Sequence, residues 1–183
     1  METLAKWTIS DYHQMIRSGI LENRQVELLA GEVHLKVRED PPHTFYGGSL
    51  ADEFRHCLGD RALVREARPV TFADSEPEPD IAIVWGSWEN YRHQHPQAED
   101  IFLLVEISAS SLTKDLGMKK AIYAAAGVRD YWVLNLAARK LIIFRHPADG
   151  DYREKQELSQ GAIAPLAFPD VKISLDRLFQ QSV

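Results

Sequence analysis

Apolar and polar positions along the chain switch between strand-like and helix-like spacing, which predicts a fold built from both elements. The most continuous apolar run is IFLLVEIS at 101–108, and its composition favours a strand buried on both faces of a sheet. We therefore expect it to lie near the centre of that sheet. Further strands are predicted, in chain order, at 26–30, 33–37, 62–67, 69–73, 81–85, 131–135 and 140–145.

Three segments carry the spacing of amphipathic helices. The first runs through 10–17, with Ser10 as its cap and Gly19 as its left-handed stop. The second covers 41–58 and the third 112–126, each followed directly by a glycine. The final stretch, 171–180, is compatible with a terminal strand or a terminal helix.

The connections between these elements are short. Gly31-Glu32 predicts a tight hairpin turn between the first two strands, and the polar residues 86–100 predict a loop. No repeats or Gly/Ser linkers interrupt the 183 residues. We therefore expect a single domain over residues 1–183, of the α/β (α+β) class, with a mixed central β-sheet flanked by helices.

Charge and cysteine content narrow the range of functions. The net charge is −6, with the excess acid in residues 1–100, which argues against a protein that coats nucleic acid by charge alone. Cys57 is the only cysteine, which excludes an internal disulfide or a cysteine-based zinc site. The chain shows neither a secretion signal nor a membrane-spanning run, so we expect a cytoplasmic protein without a membrane partner.

Two acids occupy positions in apolar segments, where burial of a carboxylate costs free energy. Asp80 opens the apolar strand at 81–85, and Glu106 interrupts the end of the run at 101–108. Burial of an isolated carboxylate costs several kcal/mol, and two neighbouring carboxylates repel each other. A divalent cation such as Mg²⁺ relieves both problems.

A lysine in the third helix is a candidate third member of this site. Helical spacing places Lys119 in the middle of the apolar face, from which its ammonium group can reach the sheet, whereas Lys120 points to one side. Asp115 lies four residues before Lys119, so it could orient the lysine.

Each of these residues also has a purely structural interpretation. Asp80 follows Pro79 and suits a turn, Glu106 could be bound by backbone donors, and Lys119 could pair with Asp115 alone. His93-x-His95 lacks a third ligand and suggests a surface loop, and Cys57 is expected to pack in its helix.

Three stretches of the chain carry a resemblance to a known family. VELLAGE (26–32), SEPEPDIAIV (75–84) and VEISASSLTKDLGMKKAIYAAAGVRDYWVLN (105–135) resemble the Uma-type family of restriction endonucleases. That family is similar to the PD-(D/E)xK nucleases, so the resemblance implies a restriction-endonuclease-like core. It also implies cleavage of a phosphodiester bond with Mg²⁺ or Mn²⁺ as cofactor.

The resemblance assigns roles to residues of this chain. Pro79-Asp80 corresponds to the PD half and Glu106 to the second acid, while Ser108 stands where the strand lysine is usual. The pattern Asp115-x-x-x-Lys119-x-x-x-Tyr123 implies that Lys119 takes over that lysine's role. The resemblance further suggests Glu27 as a third metal ligand. It suggests His43, beside a phosphate or a water, as a supporting residue together with Asp115 and Tyr123.

The sequence leaves the substrate and the activity open. DNA is the expected substrate and a homodimer is possible, because a duplex has two strands to cut. RNA or a small phosphodiester would use the same site, and a catalytically silent binding or scaffold module would keep the fold without turnover. Basic residues near the predicted site helix and one earlier segment are candidate phosphate contacts: Arg61, Arg65, Arg68, Lys114, Lys119, Lys120 and Arg129.

Overall fold

A six-stranded mixed sheet forms the centre of the molecule. The computed structural model describes residues 4–36 and 38–180. Its strands are β3 Leu63–Glu66, β4 Ile81–Val84, β5 Ile101–Ser108, β6 Asp130–Asn135, β7 Lys140–Ala148 and β8 Asp151–Leu158. They lie in the order β3-β4-β5-β6-β7-β8, in which β5 and β6 are parallel and the other neighbours antiparallel. The predicted mixed sheet flanked by helices is confirmed.

Both faces of β5 are covered, as its apolar sequence predicts. Leu103, Val105 and Ile107 join one hydrophobic cluster, while Leu104 joins the cluster on the opposite face. The first cluster lies beneath α2 (Pro41–Leu58) and α5 (Leu175–Gln180). The second lies beneath the helical segment that follows β5. Because β5 has no solvent-exposed face, Glu106 must find its partners inside the protein.

The helical segment after β5 departs from a regular α-helix. It contains α3 (Leu112–Lys114), a π-helical turn (Asp115–Lys119) and α4 (Lys120–Ala125). The sequence predicts one continuous helix here, and that expectation is wrong in its middle. A π turn inserts an extra residue, and such turns are frequent at functional sites. Gly127 follows with φ 83°, as expected for a helix stop.

The remaining helices agree with the spacing but not with every predicted end. Asp40 caps α2, and Gly59 follows it with φ 54°. The first helix, α1 (Ile9–Arg17), is capped by Thr8 rather than by Ser10. Thr8 prevails because its hydroxyl accepts from the N–H of Asp11 while the Asp11 carboxylate accepts from the N–H of Thr8, which forms a capping box.

A separate hairpin, β1 (Val26–Leu29) with β2 (Glu32–Leu35), packs beside the sheet. Its turn is Ala30-Gly31 instead of the predicted Gly31-Glu32, since both turn residues have positive φ, as the primed hairpin turns require. Residue 37, the predicted end of the second strand, lies outside the described residues. The N–H of Glu76 donates to the carbonyl of Leu28, which ties β1 to the segment before Asp80.

Several smaller expectations are corrected. Residues 69–73 form no strand, and 86–100 contain two short 3₁₀ helices, Trp88–Tyr91 and Ala98–Asp100. Beyond the sheet, the C-terminal segment contains both elements that the sequence allowed, because β10 (Ile173–Ser174), which pairs with β9 (Ala162–Ile163), precedes α5. Strand β8 was not predicted, since its residues are almost all polar. Among the described helices, none combines the length and apolar content needed to cross a membrane.

Candidate active site

Asp80 and Glu106 meet because β4 runs antiparallel to β5. Ile81 pairs with Val105, so the next position of this register places Asp80 across from Glu106. Asp80 Oδ2 accepts a 2.6 Å hydrogen bond from the backbone N–H of Ile107. Like charges directly opposite on neighbouring strands are destabilising. The register of β4 and β5 therefore places the two carboxylates side by side, as the sequence analysis expects.

Glu106 is 2% exposed and uses one of its two oxygens for protein contacts. Its Oε1 accepts from Lys119 Nζ at 2.9 Å and from the hydroxyl of Tyr123 at 2.6 Å. Tyr123 is fully buried behind Glu106 and does not line the pocket in front of it. It therefore acts on the site through Glu106.

Lys119 lies at the end of the π turn and is buried, as its place on the apolar face predicts. Besides Glu106, it lies 3.5 Å from Glu27 Oε2. The neighbouring Lys120 points away and pairs with Asp151. Two successive residues thus differ in surroundings, since Lys119 is held among carboxylates and Lys120 points away from them.

Asp115 does not orient Lys119 by an ion pair, contrary to the expectation from their spacing. Its Oδ2 instead accepts hydrogen bonds from the hydroxyls of Ser108 at 2.6 Å and Ser111 at 2.5 Å. The bond from Ser108 attaches the helical segment to the end of β5, whereas the bond from Ser111 lies within the start of that segment. Asp115 acts on Lys119 only through its charge and through this attachment.

Glu27 reaches the site from β1 and is held by two hydrogen-bond donors and by an ion pair with Lys119. Its Oε1 accepts from Lys114 Nζ at 2.9 Å, and its Oε2 accepts from the N–H of Glu78 at 3.3 Å and faces Lys119. Both oxygens are therefore already engaged.

His43 lies in the first turn of α2 and faces Asp80. Its Nε2 is 3.2 Å from Asp80 Oδ2, and its Nδ1 is 3.6 Å from Glu39 Oε2. Glu39, His43 and Asp80 each offer one atom within 4.8 Å of the others, a grouping that could hold a metal ion. The sequence did not single out Glu39, although it precedes His43 by four residues in the primary structure.

Burial and charge set the protonation of the central groups. Burial raises the pKa of Glu106 to about 8, with Asp80 and Asp115 adding to the rise and Lys119 opposing it. Burial alone would lower the pKa of Lys119, but the carboxylates of Glu106 and Glu27 raise it, so the lysine remains an ammonium ion. For Glu27, burial favours a higher pKa, yet Lys119 and Lys114 bring it below its usual value.

These residues share one pocket, and two of its acids keep an oxygen free. Among the described residues, none donates a hydrogen bond to Asp80 Oδ1 or to Glu106 Oε2, and neither atom is sealed from solvent. Six of the expected site residues line the pocket: Glu27, His43, Asp80, Glu106, Asp115 and Lys119. The arrangement offers paired carboxylate oxygens to a hard cation, with a fixed ammonium group beside them.

Most of the candidate phosphate contacts lie elsewhere. Lys114 lines the pocket, but Arg61 pairs with Asp170. Arg65 is 3% exposed and stacks against the rings of Trp88 and Tyr91, so the expectation that it contacts a phosphate is wrong. Lys36, which pairs with Glu78 at the pocket, was not predicted.

Comparison with known proteins gives the family of the chain and a solved structure with the same fold. The Uma2 family model, described as "Putative restriction endonuclease", matches residues 9–176. A solved structure titled as a "putative nuclease belonging to DUF820" from Anabaena variabilis ATCC 29413 superposes with a TM-score of 0.68. The match covers 85% of this chain and 89% of that chain at 16% identity, so it shows a shared fold. No curated protein matches the chain.

Proposed function

The chain belongs to the Uma2 family, and from this premise we propose that it is a divalent-metal-dependent endonuclease that hydrolyses phosphodiester bonds in DNA. Family and fold together support a nuclease. The metal, the substrate and the residue roles are the parts that we propose.

One observation carries the proposal. Asp80 and Glu106 face each other across neighbouring strands, and each spends one oxygen on protein donors while the other stays open to the pocket. A structural carboxylate in a protein interior normally has its acceptors satisfied. Two adjacent acids with open oxygens are instead suited to sharing a cation.

We assign Mg²⁺, or Mn²⁺ in its place, to Asp80 and Glu106. When bound, such an ion polarises the scissile phosphate and lowers the pKa of a coordinated water. Glu27 could join as a third ligand only if Lys114 released its oxygen, because both oxygens of Glu27 already accept hydrogen bonds.

Lys119 holds a proton beside the reacting groups. Its ammonium group is fixed by Glu106 and Glu27, so it is positioned to orient the attacking water or to stabilise charge that develops on the phosphate. Tyr123 and Asp115 support this arrangement from behind, through Glu106 and through the end of β5.

The substrate and the setting follow from the same proposal. We propose DNA as the substrate and a homodimer as the working form, since two active sites would address the two strands of a duplex. We propose a cytoplasmic location because a single cysteine suits a reducing compartment.

Cleavage of supercoiled plasmid DNA by the purified full chain tests the proposal. We expect nicking with Mg²⁺, none with excess chelator, and a fall of at least about 100-fold with Asp80→Ala or Lys119→Ala. Lys120→Ala is the matched control, because this lysine is next in sequence but pairs with Asp151 outside the pocket. Magnesium-dependent cleavage that survives Asp80→Ala or Lys119→Ala would contradict the assignment, and a folded wild type that neither binds Mg²⁺ nor cleaves would favour a silent scaffold.

A further inference from the structure

We propose that Glu39, His43 and Asp80 form a second divalent-cation site, which shares Asp80 with the first and prefers an imidazole-binding ion such as Mn²⁺ or Zn²⁺ to Mg²⁺. The inference rests on the proposed function, because Asp80 is common to both ions. Its test is separate, since it measures bound metal rather than cleavage.

The three ligand groups are already close together. One atom from each lies within 4.8 Å of the others, near the roughly 4.4 Å that can separate two ligands bound to one ion at about 2.0–2.2 Å. They come from the segment before α2, from its first turn and from the start of β4. The start of α2 and the start of β4 therefore converge on one point.

The imidazole of His43 lacks the partners of a purely structural histidine. Nδ1 is buried and makes no hydrogen bond among the described residues, and it lies 3.6 Å from Glu39 Oε2. A buried polar atom without a partner costs free energy. Neutral imidazole is a common ligand for manganese-like and zinc-like ions, whereas Mg²⁺ prefers oxygen ligands and water.

The charge of the pocket also calls for more than one ion. The described residues that line it include seven acids but only four lysines and arginines. Deeper in the same pocket Asp115 is 1% exposed, and its Oδ1 is also buried without a hydrogen-bond partner. With Glu106 ionised, as its binding to the first cation requires, one divalent cation leaves this set negative, whereas two leave it positive enough to admit a phosphodiester.

Manganese binding to the full-length protein tests the inference. The number of Mn²⁺ ions per chain is measured from the loss of the free-ion electron paramagnetic resonance signal, and pulsed measurements report nitrogen coupled to bound manganese. We expect two Mn²⁺ per chain and an imidazole nitrogen coupling in the wild type. His43→Gln and Glu39→Gln should each bind one ion and lose the coupling, whereas Glu106→Gln should keep it.

His56→Gln is the matched control, because this histidine lies in the same helix but is exposed and away from the pocket. It should behave as the wild type does. Glu39 is also exposed, so Glu39→Gln serves as a second variant if His43→Gln fails to fold. A wild type that binds one Mn²⁺, or shows no nitrogen coupling, overturns the inference, while loss of cleavage in Asp80→Ala would still uphold the proposed nuclease.

Discussion

Two buried acids on neighbouring strands of the same sheet are handled in opposite ways. Asp130 opens β6, and Glu106 lies near the end of β5 on the other face of the sheet. Asp130 Oδ1 accepts from Trp132 Nε1 at 2.8 Å and from Arg145 Nε at 2.9 Å. Its Oδ2 accepts from Arg145 Nη2 at 3.4 Å and from the N–H of Leu166 at 2.8 Å.

Glu106, in contrast, has only one occupied oxygen and faces a second acid. Its cationic partner, Lys119, is itself shared with Glu27. We call the Asp130 carboxylate closed, because both of its oxygens accept hydrogen bonds, and it joins β6, β7 and the segment around Leu166. We call the Glu106 carboxylate open, because one oxygen is left for a ligand. Burial alone does not distinguish the two, but the number of occupied oxygens does.

Removing the open carboxylate should affect activity far more than folding. In Glu106→Gln we expect cleavage to fall on the order of 10³-fold, because the metal loses one of its two main ligands. The free energy of unfolding should change little, since loss of the Lys119 ion pair is offset by relief of the repulsion from Asp80 and Lys119 keeps Glu27 as a charged partner. Plasmid nicking rates and urea unfolding of the same preparation check both parts. A marked loss of stability without a loss of cleavage would show that Glu106, like Asp130, has a purely structural role.

Removing the closed carboxylate of Asp130 should affect stability far more than cleavage. Asp130→Asn leaves the guanidinium group of Arg145 without its charged partner, so we expect the free energy of unfolding to fall by about 3–5 kcal/mol. Cleavage per folded molecule should be unchanged. Urea unfolding, combined with activity normalised to the folded fraction, measures both. A loss of cleavage at full stability would mean that Asp130 belongs to the site.

Removing the lysine should separate metal binding from cleavage. In Lys119→Met we expect cleavage to fall about 100-fold, since a group that assists proton transfer or charge stabilisation is lost. Mg²⁺ affinity should rise, because Glu106 and Glu27 lose the cation that now balances them. Calorimetric titration with Mg²⁺ checks the second part, with Lys120→Met as control. Weaker Mg²⁺ binding in Lys119→Met would show that the lysine does not compete with the ion.

The smallest effect on cleavage is expected for Tyr123, which lies behind Glu106 and outside the pocket. Tyr123→Phe removes one hydrogen bond to Glu106 Oε1 but leaves the bond from Lys119, so stability should fall by about 1 kcal/mol. Cleavage should decline only a few-fold. Thermal unfolding and nicking rates measure the change. A loss as large as that in Glu106→Gln would move Tyr123 from a supporting to a direct role.

The sequence predicts the site wherever a polar residue interrupts an apolar pattern. Glu106 in β5 and Lys119 on an apolar helical face are out of place in this sense, and the structure puts them 2.9 Å apart. The sequence does not single out Asp130, although it opens an apolar strand much as Asp80 does, and it does not reveal that both oxygens of Asp130 are occupied whereas Asp80 keeps one open. Glu39 was missed because only tertiary packing brings the segment before α2 to Asp80.

The fold shows the same division between local and tertiary information. The ends of strand β5 and helix α2 agree with the predicted ones, because their apolar patterns and terminal residues act locally. The polar edge strand β8 has no apolar pattern, and the only signal that could have revealed it was the Asp149-Gly150 turn, whose residues both have positive φ. The π turn before α4 is stabilised by tertiary contacts and leaves no mark on helical spacing.

A crystal of the full chain soaked with Mn²⁺ tests the central claim most directly. Anomalous scattering locates the ion without reference to activity. We predict a peak at bonding distance from Asp80 Oδ1 and Glu106 Oε2, with Lys119 beside it. Saturating Mn²⁺ that gives no peak between these two carboxylates would contradict the account.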